Sequence, residues 1–301
     1  MRSDDLFIYH GNCFDGFTAA WLYWLVAPTS ELVPAKYGDA PPDVTGRNVW
    51  IADFSYPRAQ LLEVARSCQT LRIFDHHKTA QADLDTFPGQ LAAHELANKL
   101  RAFVFDMGRS GARLIFDELQ QWPEILVNHR IDWAEEFVNY IQDRDLWRQK
   151  LEGTEEVAAW VAASPMTFGA WTEMAKCSAS LLAKSGACVK RYIAQYGRKA
   201  RAEMRLEEIA GYLVPAVNLP YMNCSEHVGK LEEDNPDSPF AVGYFRRADG
   251  RWQFSLRARS GFDVSEVAKR YGGGGHAGAA GFDVARLPWE CDFVPTEAEE
   301  T

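Results

Sequence analysis

Apolar residues in the first third of the chain fall into short dense runs separated by helix-length segments. Residues 6–10, 49–54 and 71–74 read as strands. Between them, residues 16–26 form an apolar helical segment stopped by Pro28. Residues 57–67 form a second helix, with proline in its first turn, where a missing N–H does no harm. Residues 102–105 read as a fourth strand, followed by an amphipathic helix over about 110–121. Strands that alternate with helices predict a parallel sheet covered by helices on both faces. From about 133 to 196 the pattern is almost wholly helical, broken most clearly at Ser164-Pro165. A long polar helix over about 178–209 carries Lys184, Lys190, Arg191, Arg198, Lys199, Arg201 and Arg205, the composition of a solvated face between domains. Strands return at 212–217, 240–246 and 252–257, followed by a helix at 264–271 and a glycine-rich loop. The pattern predicts an α/β chain of two domains: an N-terminal parallel-sheet domain over 1–185, a helical linker over 186–208 and a smaller α/β domain over 209–294. An acidic tail, predicted to be disordered, covers 295–301.

Composition narrows the function. Of 301 residues, 47% are hydrophobic and 13% aromatic, enough for real cores in two domains. The formal charge of −10, from 42 acids against 32 bases, lacks the basic footprint of a protein that binds long duplex nucleic acid. Small anions remain compatible where cations are concentrated locally or a metal supplies the charge. Six cysteines without C-x-x-C spacing, and no secretory or membrane-length apolar run, predict a soluble protein with free thiols in a reducing cytoplasm.

The chemistry-bearing residues sit where the predicted strands end. His10 closes the first strand, with Asp15 five residues on; Asp53 stands at the end of the second; Asp75-His76-His77 follows the third. A parallel sheet gathers its strand ends on one edge, where ligands bind in open α/β folds. Residues 140–147, with Asp143 and Asp145, add a fourth contribution at a helix end. Singly, Asp15 reads as a helix cap, Asp53 as a turn cap, and Asp143 and Asp145 as partners of Arg144 and Arg148. Together, mixed carboxylate and imidazole donors suit a two-metal phosphoryl-transfer site, with Mn²⁺ as the expected ion and Mg²⁺, Co²⁺ or Zn²⁺ as substitutes. In the second domain the run from Gly272 to Gly275, followed by His276, lets backbone N–H groups approach a phosphate or base closely. Arg257 and Arg259 alternate along a strand and are expected on one face, as two guanidinium forks for a phosphate.

These segments resemble the DHH phosphoesterase family. Residues 9–16 (YHGNCFDG), Ala52-Asp53, Asp75-His76-His77 and Asp143-Arg144-Asp145 match its motifs, and residues 272–282 (GGGGHAGAAGF) match the glycine-histidine motif of its associated C-terminal domain. The wording around the motifs is most similar to the nano-RNases, oligoribonuclease-like phosphodiesterases that cut very short RNA to mononucleotides through a metal-activated hydroxide. The resemblance implies that His10, Asp15 and Asp53 hold one metal, with Asp53 bridging, and that His76 and Asp143 complete a second. Asp75 orients the site from behind and His77 faces the scissile phosphate. Arg257, Gly274, Gly275 and His276 hold the far end of the substrate across an interdomain cleft, a layout suited to short substrates. Relatives that dephosphorylate 3′-phosphoadenosine 5′-phosphate or cleave cyclic or linear dinucleotides define enzymatic alternatives with the same residues. A nucleotide-binding module without turnover is the alternative from another class. The family includes dimers, so a homodimer is compatible, though no segment marks an interface. One departure stands out: many members carry a second aspartate two residues after the first, where this chain has Phe17, and the gap from His10 to Asp15 is one residue longer than usual. Either the second ion has fewer protein ligands, with water or Asp145 filling in, or Asp15 plays a different part.

Overall fold

Five strands of the N-terminal half pair in parallel: β1 (Asp5–His10), β2 (Glu31–Ala35), β3 (Asn48–Ala52), β4 (Thr70–Asp75) and β5 (Leu100–Phe105), in the order β2-β1-β3-β4-β5. The structure, a computed structural model, describes residues 4–122, 131–220 and 224–290, so the acidic tail lies outside the described residues. The chain is α/β, as its apolar pattern predicts. β2 escapes that pattern because it is half-exposed and contains Pro34. Proline is tolerated there because β2 is an edge strand, with a neighbour on one side only.

The dense apolar runs are explained by two cores, one on each face of the sheet. Successive side chains of a strand point to opposite faces. Phe7, Tyr9, Trp50, Ala52 and Phe74 enter one core with the Phe14–Val26 and Gly111–Leu119 helices. Leu6, Ile8, Val49, Ile51, Leu71 and Ile73 enter the other, beneath the Arg58–Ser67, Lys78–Leu84 and Phe87–Ala93 helices. The last two helices are absent from the sequence reading, which had no strong periodicity to work from there. In the first core Trp50 stacks on Phe7 and Phe74, and Arg72 lays its guanidinium 4.7 Å from the Trp50 ring. Phe17 belongs to this core as well. Its ring meets Trp171 edge-on at 4.8 Å and lies 5.1 Å from Phe168.

Contacts divide the chain into two units, Met1–Lys190 and Arg191–Thr301. The long polar helix runs over Ala179–Ala202 and is shorter than the pattern predicts. Residues expected to continue it instead form β6 (Arg205–Ile209), paired antiparallel with β7 (Tyr212–Asn218). The ladder hydrogen bonds to β7 override the helix propensity of Leu206, Glu207 and Glu208. β8 (Ala241–Arg246) and β9 (Trp252–Arg257) follow. The glycine-rich loop turns out to be a short strand, β10 (Gly274–His276), paired with β11 (Ala279–Val284). The second sheet has the order β10-β11-β9-β8-β7-β6, and the Cys224–Asp234 helix, also unanticipated, packs on it.

Phe17→Asp places a carboxylate among these rings. Losing the aromatic contacts alone costs about 3–5 kcal/mol, and the buried charge adds to that. The variant is expected to melt at least several degrees lower than the parent in a thermal scan. A melting temperature equal to the parent's would mean that position 17 is not a core position.

Candidate functional site

The strand order 2-1-3-4-5 reverses direction between β1 and β3, and open α/β sheets bind ligands outside the carboxyl ends of the strands at such a switch point. His10 is the last residue of β1, Asp53 follows β3, and Asp75 ends β4. Their side chains meet there. His76 Nε2 lies 2.9 Å from Asp53 Oδ1, 3.6 Å from Asp145 Oδ2 and 3.9 Å from Asp15 Oδ2. On the other side of Asp53, Oδ2 faces His10 Nδ1 at 3.6 Å.

Local backbone geometry creates this convergence. Asp53 adopts a left-handed conformation, φ 56°, rare for a residue with a side chain and characteristic of strained functional positions. Its N–H is held by the Phe74 carbonyl at 2.9 Å. The Gly111–Leu119 helix begins against it, and a Cβ on Gly111 would stand 2.3 Å from the Asp53 Cβ, so only glycine allows this approach. That helix start also supplies the Ala112 N–H, which donates to Asp15 Oδ1 at 3.2 Å. Asp15 therefore reaches across to another helix and does not cap its own. Asp75 is fully buried, and its Oδ1 accepts from the His76 N–H at 2.7 Å, the His77 N–H at 3.1 Å and His77 Nδ1 at 2.7 Å. With Nδ1 engaged, His77 presents Nε2 outward.

The electrostatics of this arrangement call for a cation. Burial, then repulsion from Asp53 and Asp145, raises the Asp15 carboxyl well above its ordinary range. Asp145 is pushed up by burial and by Asp53. Burial also acts on Asp53, but the neighbouring imidazoles of His10 and His76 outweigh it and hold this carboxyl below the usual range. His77 is raised, chiefly by its hydrogen bond to Asp75. Cys13 is raised by burial and by Asp53. Among the described residues, the buried polar atoms without a hydrogen-bond partner include His10 Nδ1, Asp15 Oδ2 and Asp53 Oδ2, with Asp75 Oδ2 behind them. Buried polar atoms are rarely left unpaired, and those of His10, Asp15 and Asp53 belong to good donors for a divalent ion. Among the described residues three groups bring metal-ligating atoms within 4.8 Å of one another: His10, Cys13 and Asp53; Asp53, His76 and His77; and Asp15, His76 and Asp145. The residues present fit one or two divalent cations, with Asp53 shared.

Asp143 does not join them. Its carboxylate accepts from the Lys150 N–H at 3.0 Å, the Leu151 N–H at 3.1 Å and the Thr154 hydroxyl at 2.5 Å. Burial pushes this carboxyl up, and those three hydrogen bonds more than offset it, leaving the pKa lowered. Asp143 therefore pins the chain that follows the Glu135–Asp145 helix, and Asp145, two residues on, supplies the carboxylate at the site. Spacing alone allows either of two aspartates at this helix end, and only the helix phase decides between them. Two residues outside the predicted set also stand here. Cys13, two positions before Asp15, joins the donors, whereas Phe17, two positions after, is core. Tyr37 is 55% exposed and lies with ring centroids 5.6 Å from His10 and 6.1 Å from His77. It follows the unforeseen edge strand β2, so no pattern pointed to it.

In the second unit, register places Arg257 and His276 together. His276 on β10 pairs with Ala279 on β11, and Ala279 pairs with Arg257 on β9. Gly275, at φ 146°, brings its backbone so close to Ala280 that a Cβ would meet the Ala280 Cα at 2.5 Å, while Gly274 faces open space. Arg259 corrects the reading of two forks on one strand. β9 ends at Arg257, and the Arg259 guanidinium is neutralised by Glu232 of the Cys224–Asp234 helix, donating to the Glu232 carboxylate and, at 2.8 Å, to its backbone carbonyl. Arg257 donates to the Ser225 hydroxyl and to its neighbour's carbonyl, with no carboxylate partner in these hydrogen bonds.

Asp143 and Asp145 should separate cleanly by mutation. Asp143→Ala leaves three donors unpaired and should destabilise the metal-free fold by about 2–4 kcal/mol. Asp145→Asn should keep or raise metal-free stability, by relieving repulsion with Asp53 and Asp15, while abolishing most of the rise in melting temperature that a divalent cation gives the parent. The reverse pattern in a thermal titration would return Asp143 to the metal site.

Comparison with known proteins bears on both units. Residues 211–291 match the DHHA1 domain. An uncharacterized protein of Acanthamoeba polyphaga mimivirus is 25% identical over 305 residues, covering 92% of this chain; the chain spans 66% of that relative's length. Among solved structures, a pGpG-specific phosphodiesterase from Vibrio cholerae aligns with a TM-score of 0.47 at 11% identity, over 94% of each chain. An exopolyphosphatase-related protein from Bacteroides fragilis aligns with a TM-score of 0.42 at 13% identity, over 95% of this chain and 89% of the other. No described helix is long and apolar enough to cross a membrane.

Proposed function

We propose that the protein is a divalent-metal-dependent phosphoesterase of the DHH family that hydrolyses short oligonucleotides, nano-RNA, to mononucleotides. The observation that carries this reading is the convergence of His10, Asp15, Asp53, His76 and Asp145 at the switch point of a parallel sheet, with partnerless buried atoms among them. The DHHA1 match over 211–291 supports the same family from the other unit.

In this reading His10 and Asp53 would hold one cation, and His76, Asp15 and Asp145 would hold another. Such ions, Mn²⁺ among them, activate water near neutral pH and neutralise charge on the transferring phosphoryl group. The protein's own groups do the rest. Asp75 fixes His77 through Nδ1 and raises its pKa, which favours the protonated imidazole whose Nε2–H would donate a hydrogen bond to a non-bridging phosphate oxygen as charge develops there. The burial of Asp15 and Asp53 keeps these interactions in a low-dielectric setting where they act strongly. Tyr37 offers an exposed ring beside His10 and His77 on which a base can stack. Arg257, with the Gly274–His276 strand, binds a second phosphate or the terminal nucleotide. With ten more acids than bases overall, the chain is expected to take short anionic substrates into this locally charged site and to leave long duplexes aside.

Four measurements check this. The metal-stripped protein, given a 5′-labelled RNA dinucleotide, should release mononucleotides when Mn²⁺ is added and none without it. Turnover of 3′-phosphoadenosine 5′-phosphate or of a cyclic dinucleotide in place of the RNA dinucleotide would move the substrate to that ester. Loss of one preorganised donor typically lowers kcat by 10²–10³, so His77→Asn should cost about that much with metal stoichiometry unchanged. In Asp75→Asn the pKa of His77 should fall, shifting the alkaline limb of the kcat profile to lower pH; an unmoved limb would detach His77 from the chemistry. His276→Ala should raise KM more than it lowers kcat, and the opposite split would place His276 at the reacting phosphate.

A further inference from the structure

Cys13 is the one side chain in the donor cluster that the hydrolytic reading leaves unused. It stands immediately before the Phe14–Val26 helix in an extended conformation, φ −120° and ψ 135°, and its side chain makes no capping hydrogen bond. The sulfur lies within 4.8 Å of ligand atoms of both His10 and Asp53. Two buried atoms without a hydrogen-bond partner, His10 Nδ1 and Asp53 Oδ2, belong to these same residues, and Asp53 is 1% exposed. At metal–ligand bond lengths of about 2.0–2.3 Å, two donors on one ion can stand no more than about 4.6 Å apart. Closing the cluster on an ion therefore needs only a small adjustment of side chains.

We propose that Cys13 is itself a metal ligand, completing with His10 and Asp53 a sulfur–nitrogen–oxygen site that selects a borderline ion such as Zn²⁺ or Co²⁺ over Mn²⁺ or Mg²⁺. The inference rests on the metal-dependent reading above and changes what it implies about the ions. Thiolate is a soft donor and favours zinc-like ions, whereas carboxylate-rich sets suit Mn²⁺ and Mg²⁺. The Asp15, His76 and Asp145 group contains no sulfur. The two positions therefore differ in hardness, and the donor sets would suit two unlike ions. When the ion binds, the S–H bond breaks, its proton leaves to solvent, and the sulfur lone pair forms the metal bond; no oxidant or reductant is involved.

Cobalt tests this without any assay of turnover. Titrating the metal-stripped full-length protein with Co²⁺ should produce an intense near-ultraviolet thiolate-to-cobalt charge-transfer band. In Cys13→Ser and in Cys13→Ala that band should be lost while the weaker visible bands of cobalt on the sulfur-free group persist. Those visible bands also show that the variants have folded. Cys13→Asp should lower the ratio of Zn²⁺ to Mn²⁺ affinity by at least about tenfold, since a carboxylate replaces the thiolate. Cobalt binding by the parent without the charge-transfer band, or a band that survives in both Cys13 variants, would overturn the assignment of Cys13 and leave the metal-dependent reading standing. Failure of the parent to bind cobalt at all would overturn both.

Discussion

Asp53 is the residue on which the site depends. Its carboxylate is buried, shared between two imidazoles, and close enough to Asp15 and Asp145 to raise both of their pKa values. An ionised carboxylate out of water costs several kcal/mol unless it is paired, and here the imidazoles offset only part of the negative charge. A divalent cation resolves the conflict by supplying the missing charge and satisfying the atoms left without hydrogen bonds. The features around Asp53 exist to keep it in this costly position: a left-handed backbone, an N–H held by Phe74 and the close approach of Gly111. Sites of this kind give up metal-free stability for function, so the metal-free protein is expected to be the less stable form.

The scaffold makes that strain affordable. β1, β3 and β4 lie in the middle of the parallel sheet, each paired on both sides and buried on both faces. Their carboxyl ends can carry charged residues because their lengths are locked by two independent cores. Asp75 extends the locking one step further. Three hydrogen bonds to a single buried oxygen fix the backbone of His76 and His77 and the tautomer of His77. The second unit uses register in a different way: His276, Ala279 and Arg257 come side by side on three neighbouring strands. There the glycines leave room at the backbone, and the guanidinium of Arg257 supplies the charge.

The strand ends were legible in the sequence because each carried an acid or imidazole directly after an apolar run, and a parallel sheet brings such ends to one edge whatever the loops between them. His10, Asp15, Asp53 and His76 converge at that edge, and the α/β class follows from the same pattern. The edge strand with Pro34, the helices at Lys78–Leu84 and Cys224–Asp234, and the strand pairing that ends the long helix at Ala202 lie outside what the apolar pattern predicts. Three decisions belonged to tertiary structure alone. Helix phase turned Asp145 toward His76 and bound Asp143 to the following turn. Packing of a helix on the second sheet neutralised Arg259 and left Arg257 without a carboxylate in its hydrogen bonds. The direction in which the Phe14–Val26 helix leaves β1 put Phe17 into the core and Cys13 among the donors. In each case sequence spacing permitted two neighbouring residues to serve, and only the direction of a side chain in space could choose between them.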